Sequence, residues 1–437
     1  MNIFFLYSYL LLICIIGCIC GKKIQSSDDY YVAGRKNGIL RTTGSLMATI
    51  LGSSAILGSI DFAYAKGWAG AWFMLCGSIG LFTLIFFVKC ISRFQGYNLP
   101  SLLGIFYGNT VKKSSSGLIS IAWLGVISAQ LIGATEITTA IFNISYLHAT
   151  LIISLTLILY TAIGGQLSII KTDCIQVVLI FSGLLFIFFP LVAKNITISK
   201  SLPLISEKFS LFDLFIMLLT YSTTFIAGPD IYSRLFCAKD EKTIKHSLMI
   251  SALLLIPIAF ILAYIGIYGS FLYTKNNESI LFVIVRNEFS PISVILLYFA
   301  TLSAIMSSAD TLLFTAGGLM AQFFYDNLTS NASIKVTRVC ILILGCLSII
   351  IALLAPSILT VLLGALAVYS GAFIIPIIWG MFGLSSKTHY VITAILSGGI
   401  LALVGKFLPG SLGNTMIIIA FIVNITILFL GKIKCSI

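Results

Sequence analysis

The sequence predicts an all-α polytopic membrane protein with about thirteen transmembrane helices. Hydrophobic residues make up 59% of its 437 residues and charged residues only 9%, whereas a soluble domain carries about 25% charged residues. The apolar residues also form long continuous runs, which favour helices that satisfy their own backbone in lipid over the alternating strands of a β-barrel. This composition excludes soluble, disordered and coiled-coil proteins.

The individual spans follow from length, because about 20 apolar residues cross a bilayer core as a helix. The predicted spans are residues 2–21, 43–65, 68–90, 117–143, 147–163, 167–193, 211–233, 247–273, 291–321, 336–355, 357–382, 389–408 and 411–431. The first run lacks the preceding basic residues of a cleaved signal, so we expect it to be an uncleaved helix.

Basic residues between the spans predict the orientation. The net charge is +12, and 19 of the 26 Lys and Arg residues fall in segments on one side if the spans alternate, against 7 on the other. The positive-inside rule then places the N-terminus outside and the C-terminus in the cytoplasm of a cell (plasma) membrane protein. No basic stripe with interleaved aromatics is present, so we expect no nucleic-acid partner. We expect the lipid bilayer and a small-molecule solute as partners, and no requirement for an oligomer.

The sequence lacks the residues of several other functions. No loop is long enough for a soluble catalytic domain, and no Walker-type nucleotide motif occurs. His148, His246 and His389 fall at span ends without metal-ligand spacing, and the cysteines lie mainly inside apolar runs. We therefore expect no enzyme, no catalytic residues and no bound organic cofactor.

Two spans contain residues that interrupt helices. The second span carries Gly52-Ser53-Ser54 and the seventh carries Gly228-Pro229; glycine lacks a Cβ and proline lacks an N–H. The two spans are five apart, as a pair of five-helix inverted repeats requires, and transporters bind solute at such breaks. Close packing of intact helices through small residues is the alternative.

The ninth span combines adjacent hydroxyls with a carboxylate. Ser307 and Ser308 follow Ala304 by about one turn, and such oxygens, together with carbonyls of a broken helix, suit a monovalent cation. Hydroxyls that bond back to their own helix are the alternative.

Charged residues inside spans are functional by default. Asp310 and Asp173 are predicted either to bind a cation, to carry a proton, or to pair with Arg234 or Lys171. Glu136, in the fourth span, is expected near the outer water interface, and its role stays open.

Five segments together resemble the sodium:solute symporter family. In chain order they are Asp29–Arg35 (D-Y-Y-V-A-G-R), Ala63–Gly67 (A-Y-A-K-G), Gly164–Gln176 (G-G-Q-L-S-I-I-K-T-D-C-I-Q), Gly228–Lys239 (G-P-D-I-Y-S-R-L-F-C-A-K) and Leu302–Thr311 (L-S-A-I-M-S-S-A-D-T). Each segment alone is weak evidence, but all five occur in the family's order and at the expected spans.

The resemblance implies a leucine-transporter-type fold in one transmembrane transporter domain, 1–437. Its 5+5 inverted-repeat core would have one N-terminal and two C-terminal accessory helices. The expected parts are the N-terminal helix 2–21, the first repeat 43–193, the second repeat with an accessory helix 211–408, and the last helix with a short tail 411–437.

The resemblance also implies sodium-coupled secondary active symport and names site residues. The sodium ligands would be the carbonyls of Ala48, Leu51 and Ala304 and the hydroxyls of Ser307 and Ser308. A second cation site would use Asp173, Asp310 and Thr311. Candidate solute contacts, chosen by location, are Ser53, Ser54, Gln130, Tyr221, Thr224 and Tyr369.

The solute is not identified by the resemblance. The family's sugar transporters carry polar residues where this sequence has Ile50 and Ala55, and its proline transporters carry an Asp at the place of Ile50. Two alternatives stay open: a transport-inactive sensor or scaffold with the same fold, and a proton-coupled symporter that uses Asp310 or Asp173.

Overall fold

The computed structural model of the protein describes residues 3–94, 96–194, 202–274, 279–326, 328–355, 358–408 and 411–433. These residues are almost entirely helical. Two short strands, β1 (Ser385–Ser386) and β2 (Lys432–Ile433), pair antiparallel near the end of the chain.

The helices follow the predicted apolar runs, with several shorter helices between them. Up to residue 194 they are α1 (Phe4–Gly21), α2 (Ser27–Val32), α3 (Ile39–Ile50), α4 (Ser53–Lys66), α5 (Trp72–Ile85), α6 (Val88–Arg93), α7 (Leu99–Tyr107), α8 (Asn109–Phe142) and α9 (Tyr146–Ala193). From residue 211 they are α10 (Leu211–Met217), α11 (Thr223–Ala227), α12 (Pro229–Leu235), α13 (Glu241–Leu272), α14 (Ile280–Glu288), α15 (Pro291–Phe324), α16 (Asn331–Leu354), α17 (Ile358–Met381), α18 (Thr388–Phe407) and α19 (Ser411–Leu430).

The number of spans depends on how broken helices are counted. Among the described residues, ten helices are long and apolar enough to cross a membrane, and Thr415–Leu430 forms a shorter apolar helix. In that count α4 and α5 are joined into one segment, Ser54–Ile85, which contains parts of the second and third predicted spans. Helix α9 contains the fifth and sixth predicted spans. The chain is therefore a multi-pass membrane protein, and the count of thirteen stays a prediction.

Helix α15 lies at the centre of the bundle. Every residue from 301 to 319 is buried, and the helix packs against α3, α8 and α9. Its hydroxyl and carboxylate side chains consequently face other helices rather than lipid, where a polar group without a partner is costly.

Helix α9 is broken in its middle, where the fifth predicted span ends. Gly165 has φ 54 and ψ −156, inside an otherwise continuous helix of 48 residues. A Cβ at this position would lie 2.6 Å from Tyr30 Cδ2 and 2.9 Å from the Tyr30 carbonyl oxygen. Tyr30 has little freedom to move, because its hydroxyl donates to the Ala162 carbonyl at 3.1 Å and its ring packs on Phe314. Only glycine fits this backbone.

Gly165→Ala is expected to lower the free energy of unfolding by about 2–4 kcal/mol, since the new side chain meets both backbone strain and overpacking. The matched control is Gly58→Ala in α4, where an added Cβ has no atom within 4 Å. That control should be neutral or stabilising by up to about 1 kcal/mol, because alanine is the better helix former. Thermal unfolding of the purified proteins in detergent distinguishes them, and equal behaviour of the two variants would contradict this account of the break.

Candidate functional site

The second predicted span is broken between α3 and α4. Helix α3 ends at Ile50, and Leu51 leaves the helical region with φ −82 and ψ 47 before α4 begins at Ser53. Gly52 lies at the closest approach to α15, since a Cβ there would be 2.9 Å from Ser308 Cβ. The glycine thus permits both the break and the contact between the two helices.

The break leaves backbone oxygens beside Ser308. The Ser308 hydroxyl lies 2.7 Å from the Thr49 carbonyl oxygen and 3.3 Å from that of Ala304. Within the described part of the chain, the carbonyls of Ala48 and Leu51 receive no backbone hydrogen bond from the residues four positions ahead. Neutral oxygens of α3 and α15 therefore converge at Ser308, and such oxygens suit an alkali cation.

The neighbouring hydroxyl points elsewhere. Ser307 donates to Asp173 Oδ1 at 2.6 Å, so the two predicted sodium ligands on α15 have different partners. Ser308 faces the break in the second span, and Ser307 faces the carboxylate on α9.

Asp173 forms a buried ion pair with Arg234. Its Oδ2 lies 3.1 Å from Arg234 Nη2, and both side chains are fully buried. Asp173 also accepts from Ser45. Arg234 donates to Thr49 Oγ1 at 3.2 Å and to Thr311. The guanidinium on α12 thereby connects the broken second span to α9 and α15. Of the alternatives left open for Asp173, the structure shows the pairing with Arg234.

Asp310 adds a second carboxylate to this buried cluster. It accepts from the Tyr160 hydroxyl at 2.6 Å and from Thr311 at 3.2 Å, and no lysine or arginine of the described residues forms an ion pair with it. The buried cluster thus contains two carboxylates and one guanidinium, which pairs with Asp173. Because a buried charge without a counter-charge is costly, the ionised form of Asp310 would require a further positive charge.

The seventh predicted span is broken as well. Helix α11 ends at Ala227 and α12 begins at Pro229, which lacks the N–H that would continue the helix. The carbonyls left by the break find side-chain donors: Tyr232 donates to Ile226 at 3.0 Å, and Tyr369 donates to Ala227. Tyr369 therefore stabilises the break.

A cavity of about 100 Å³ lies between the two breaks, and we call it the central cavity. It is lined by Thr49, Ile50, Gly52, Ser54, Trp123, Val126, Gln130, Tyr221, Thr224, Phe225, Gly228, Asp230, Ile231, Ser308, Leu312, Leu362 and Leu366. One water needs about 10–15 Å³ by the same kind of measure, so the cavity has room for a small solute.

Most of the predicted solute contacts reach this cavity. Ser54, Gln130, Tyr221 and Thr224 line it. Tyr369 is not among its described lining residues, and the side chain of Ser53 lies outside what the structure describes. The structure therefore brings four of the six predicted contacts together at one cavity, beside Ser308.

Sequence reasoning missed other residues of the cavity, including Trp123, Phe225 and Asp230. Trp123 packs edge-on against Tyr369 with ring centroids 4.6 Å apart. The sequence does indicate Asp230 as a candidate, because a carboxylate within an apolar segment is functional by default. Glu136, in contrast, is exposed on α8.

Comparisons with known proteins agree with this architecture. The sequence model of the sodium:solute symporter family matches residues 30–388. The chain is 23% identical over 348 residues to the high-affinity proline transporter PutP of Bacillus subtilis, which covers 74% of this chain and 73% of that protein. It is 24% identical over 402 residues to the osmoregulated proline transporter OpuE of the same organism, which covers 84% and 80%.

Two solved structures share the fold. A Na+-coupled sialic acid symporter in a substrate-bound outward-open state superposes with a TM-score of 0.84 at 18% identity, over 99% of this chain and 98% of that chain. A nucleobase-cation-symport-1 family transporter in a closed conformation superposes with a TM-score of 0.63 at 13% identity, over 93% and 94%. These neighbours confirm the predicted all-helical, leucine-transporter-type fold.

Proposed function

This chain belongs to the sodium:solute symporter family, and on that premise we propose that it imports a small polar organic solute together with sodium by alternating access. Sodium is the coupling ion. The proposal includes a plasma-membrane location with the N-terminus outside and the C-terminus in the cytoplasm, as the distribution of basic residues favours.

The observation that carries the proposal is the contact between the broken second span and Ser308. Sodium would take the carbonyl oxygens of Ala48, Leu51 and Ala304 and the hydroxyls of Ser307 and Ser308. The Ser308 hydroxyl already lies 2.7 Å from a carbonyl oxygen at the break, whereas sodium binding would also require the Ser307 hydroxyl to leave Asp173.

The sodium site and the solute cavity share a wall. Thr49, Gly52 and Ser308 line the central cavity and also form the break and its contact with α15. A bound sodium would fix this wall and preorganise the solute contacts, so each ligand raises the affinity for the other by the same factor. A membrane potential of 100 mV adds about 2.3 kcal/mol per sodium ion.

The cluster of Asp173, Asp310 and Arg234 supports a second candidate mechanism. Its surplus negative charge is matched either by a second sodium, with Thr311 as a further ligand, or by a proton that drives transport in place of sodium. Both mechanisms use the same central cavity for the solute.

Uptake into proteoliposomes separates these mechanisms. Thermal-shift screening of the purified protein against amino acids, organic acids and sugars, with and without sodium, first identifies a stabilising solute. We expect an inward sodium gradient to drive accumulation of that solute, and an equal potassium gradient to give none. Accumulation driven by a pH gradient in sodium-free buffer would favour the proton mechanism. Stabilisation without uptake under either gradient would indicate a transport-inactive sensor or scaffold.

A further inference from the structure

The central cavity contains one charged side chain among its described lining residues, that of Asp230. Asp230 is half-buried on the first turn of α12. In the described part of the chain no lysine or arginine lies within ion-pair distance of it, and the nearby Arg234 pairs instead with Asp173. This carboxylate is therefore available to a positively charged group in the cavity.

Aromatic rings line the same cavity. Trp123, Tyr221 and Phe225 contribute to its wall, and the rings of Tyr221 and Phe225 pack edge-on with centroids 5.4 Å apart. The faces of aromatic rings carry partial negative charge and attract ammonium and quaternary ammonium groups. The Asp230 carboxylate repels an anionic group, which favours one charge class of solute over the other.

The remaining wall is neutral. Gln130, Ser54 and Thr224 provide hydrogen-bonding groups, whereas Ile50 and Leu312 provide apolar surface. A solute that enters this cavity thus meets one negative charge, several aromatic rings and a few neutral polar groups.

From these features, and resting on the proposed function, we propose that the solute carries a positively charged nitrogen and that Asp230 is the residue that selects for it. The nitrogen lies against the Asp230 carboxylate and the aromatic rings, and the neutral polar groups orient the rest of the solute. Asp230 is a specificity-determining residue that contacts the solute, distinct from the sodium ligands.

A second cavity, of about 130 Å³, adjoins the central cavity and shares Tyr221, Thr224 and Leu366 with it. Its lining also includes the basic side chain of Lys406. In a solute that spans the two cavities, a negative group would lie toward Lys406. The inferred class therefore includes zwitterions, such as amino acids and betaines, as well as simple organic cations.

The test compares probes that carry a positively charged nitrogen with counterparts of the same shape that lack it. Purified full-length protein in saturating sodium is titrated with choline and, separately, with its neutral isostere, in which carbon replaces the quaternary nitrogen. It is also titrated with L-proline and with tetrahydrofuroate, in which oxygen replaces the ring ammonium. Sialic acid serves as an anionic probe. The readout is the shift in unfolding temperature as a function of probe concentration. We expect at least one charged-nitrogen probe to stabilise the wild-type protein, and its counterpart and sialic acid to have no effect.

Variants identify the residue responsible. Asp230→Asn is expected to weaken binding of the charged-nitrogen probe by about 10- to 100-fold, the range that a lost charge-assisted hydrogen bond produces. Asp230→Glu keeps the charge and should retain most of the affinity. The matched control is Glu136→Gln, which removes an exposed carboxylate of α8 that is not among the described lining residues of the cavity, and it should bind like the wild type.

Each outcome decides the inference. Equal stabilisation by a counterpart that lacks the charged nitrogen, stabilisation by sialic acid alone, no stabilisation by either charged-nitrogen probe, or unchanged affinity in Asp230→Asn would overturn it. The wild-type comparison decides the matter even if Asp230→Asn does not fold. Replacing sodium with potassium tests the proposed function separately, since charge selectivity that survives without any sodium dependence would contradict sodium coupling but not the role of Asp230.

Discussion

Ser308→Ala is expected to abolish most sodium-stimulated solute uptake while the protein still inserts and folds. The hydroxyl of Ser308 links α15 to the Thr49 carbonyl at the break, and in our proposal it also binds sodium. Losing one such ligand is expected to weaken sodium binding by about 10- to 100-fold. The measurement is the sodium dependence of initial uptake rates in proteoliposomes, after the amount of inserted protein has been matched.

Ser303→Ala is the control for that variant. Ser303 is a buried serine on the same helix, but its hydroxyl hydrogen bonds with Tyr9 at 2.9 Å rather than with the break. This control should keep the wild-type sodium dependence. Ser307→Ala should impair sodium stimulation as well, because its hydroxyl is both a proposed ligand and a donor to Asp173. Unchanged sodium dependence in both Ser307→Ala and Ser308→Ala would refute the proposed sodium site.

Arg234→Leu is expected to destabilise the fold by about 3–5 kcal/mol, because it leaves the buried Asp173 without its counter-charge. The substitution also removes the hydrogen bonds from Arg234 to Thr49 and Thr311. It therefore removes these polar links from α12 to the broken second span and to α15. Thermal unfolding of the purified variant in detergent should therefore show a large fall in stability, independently of any effect on transport.

An exposed ion pair provides the comparison for Arg234. Lys113 and Asp326 lie 3.0 Å apart with side chains 40% and 55% exposed, and exposed pairs of this kind contribute about 0–1 kcal/mol. Lys113→Gln should thus have little effect. Adding Asp173→Asn to Arg234→Leu removes the unpaired charge and should restore part of the lost stability. Wild-type stability in Arg234→Leu, or no recovery in the double variant, would contradict this account of the cluster.

The spans were predictable because the signal for a membrane helix is local and repeated. The bounds of α15, α17 and α18 agree with the predicted runs to within a few residues. Hydropathy did not predict that the runs 147–163 and 167–193 form one helix with a break at Gly165, since a kink and a short loop have the same composition. The six-residue helix α2 is too short for a hydropathy window, although its Ser26–Asp29 capping box is visible in the sequence.

The two helix breaks were predictable because their sequence signal is also local. Gly52 and the Gly228–Pro229 pair act on their own backbone, so their effect does not depend on distant residues. The partners of Ser307 and Ser308, in contrast, depend on the rotation of α15 relative to α3 and α9. No local pattern encodes that rotation, and the sequence therefore indicated the two hydroxyls without indicating that one faces Asp173.

Asp230 shows a second limit of local reasoning. It follows Pro229 directly, and its carboxylate reaches the cavity only because α12 starts in a new direction after the break. Tyr369 shows the reverse case: the sequence predicts it as a solute contact, but its hydroxyl donates to the Ala227 carbonyl, and in the described residues it does not line the cavity. Tertiary geometry decides between these two outcomes.

Equilibrium binding of radioactive sodium to the purified protein examines the central proposal most directly. We predict saturable binding to the wild type that is displaced by unlabelled sodium but not by potassium, is tightened by a stabilising solute, and is weakened about tenfold or more in Ser308→Ala. Sodium binding of equal affinity in the wild type and in both serine variants would contradict it.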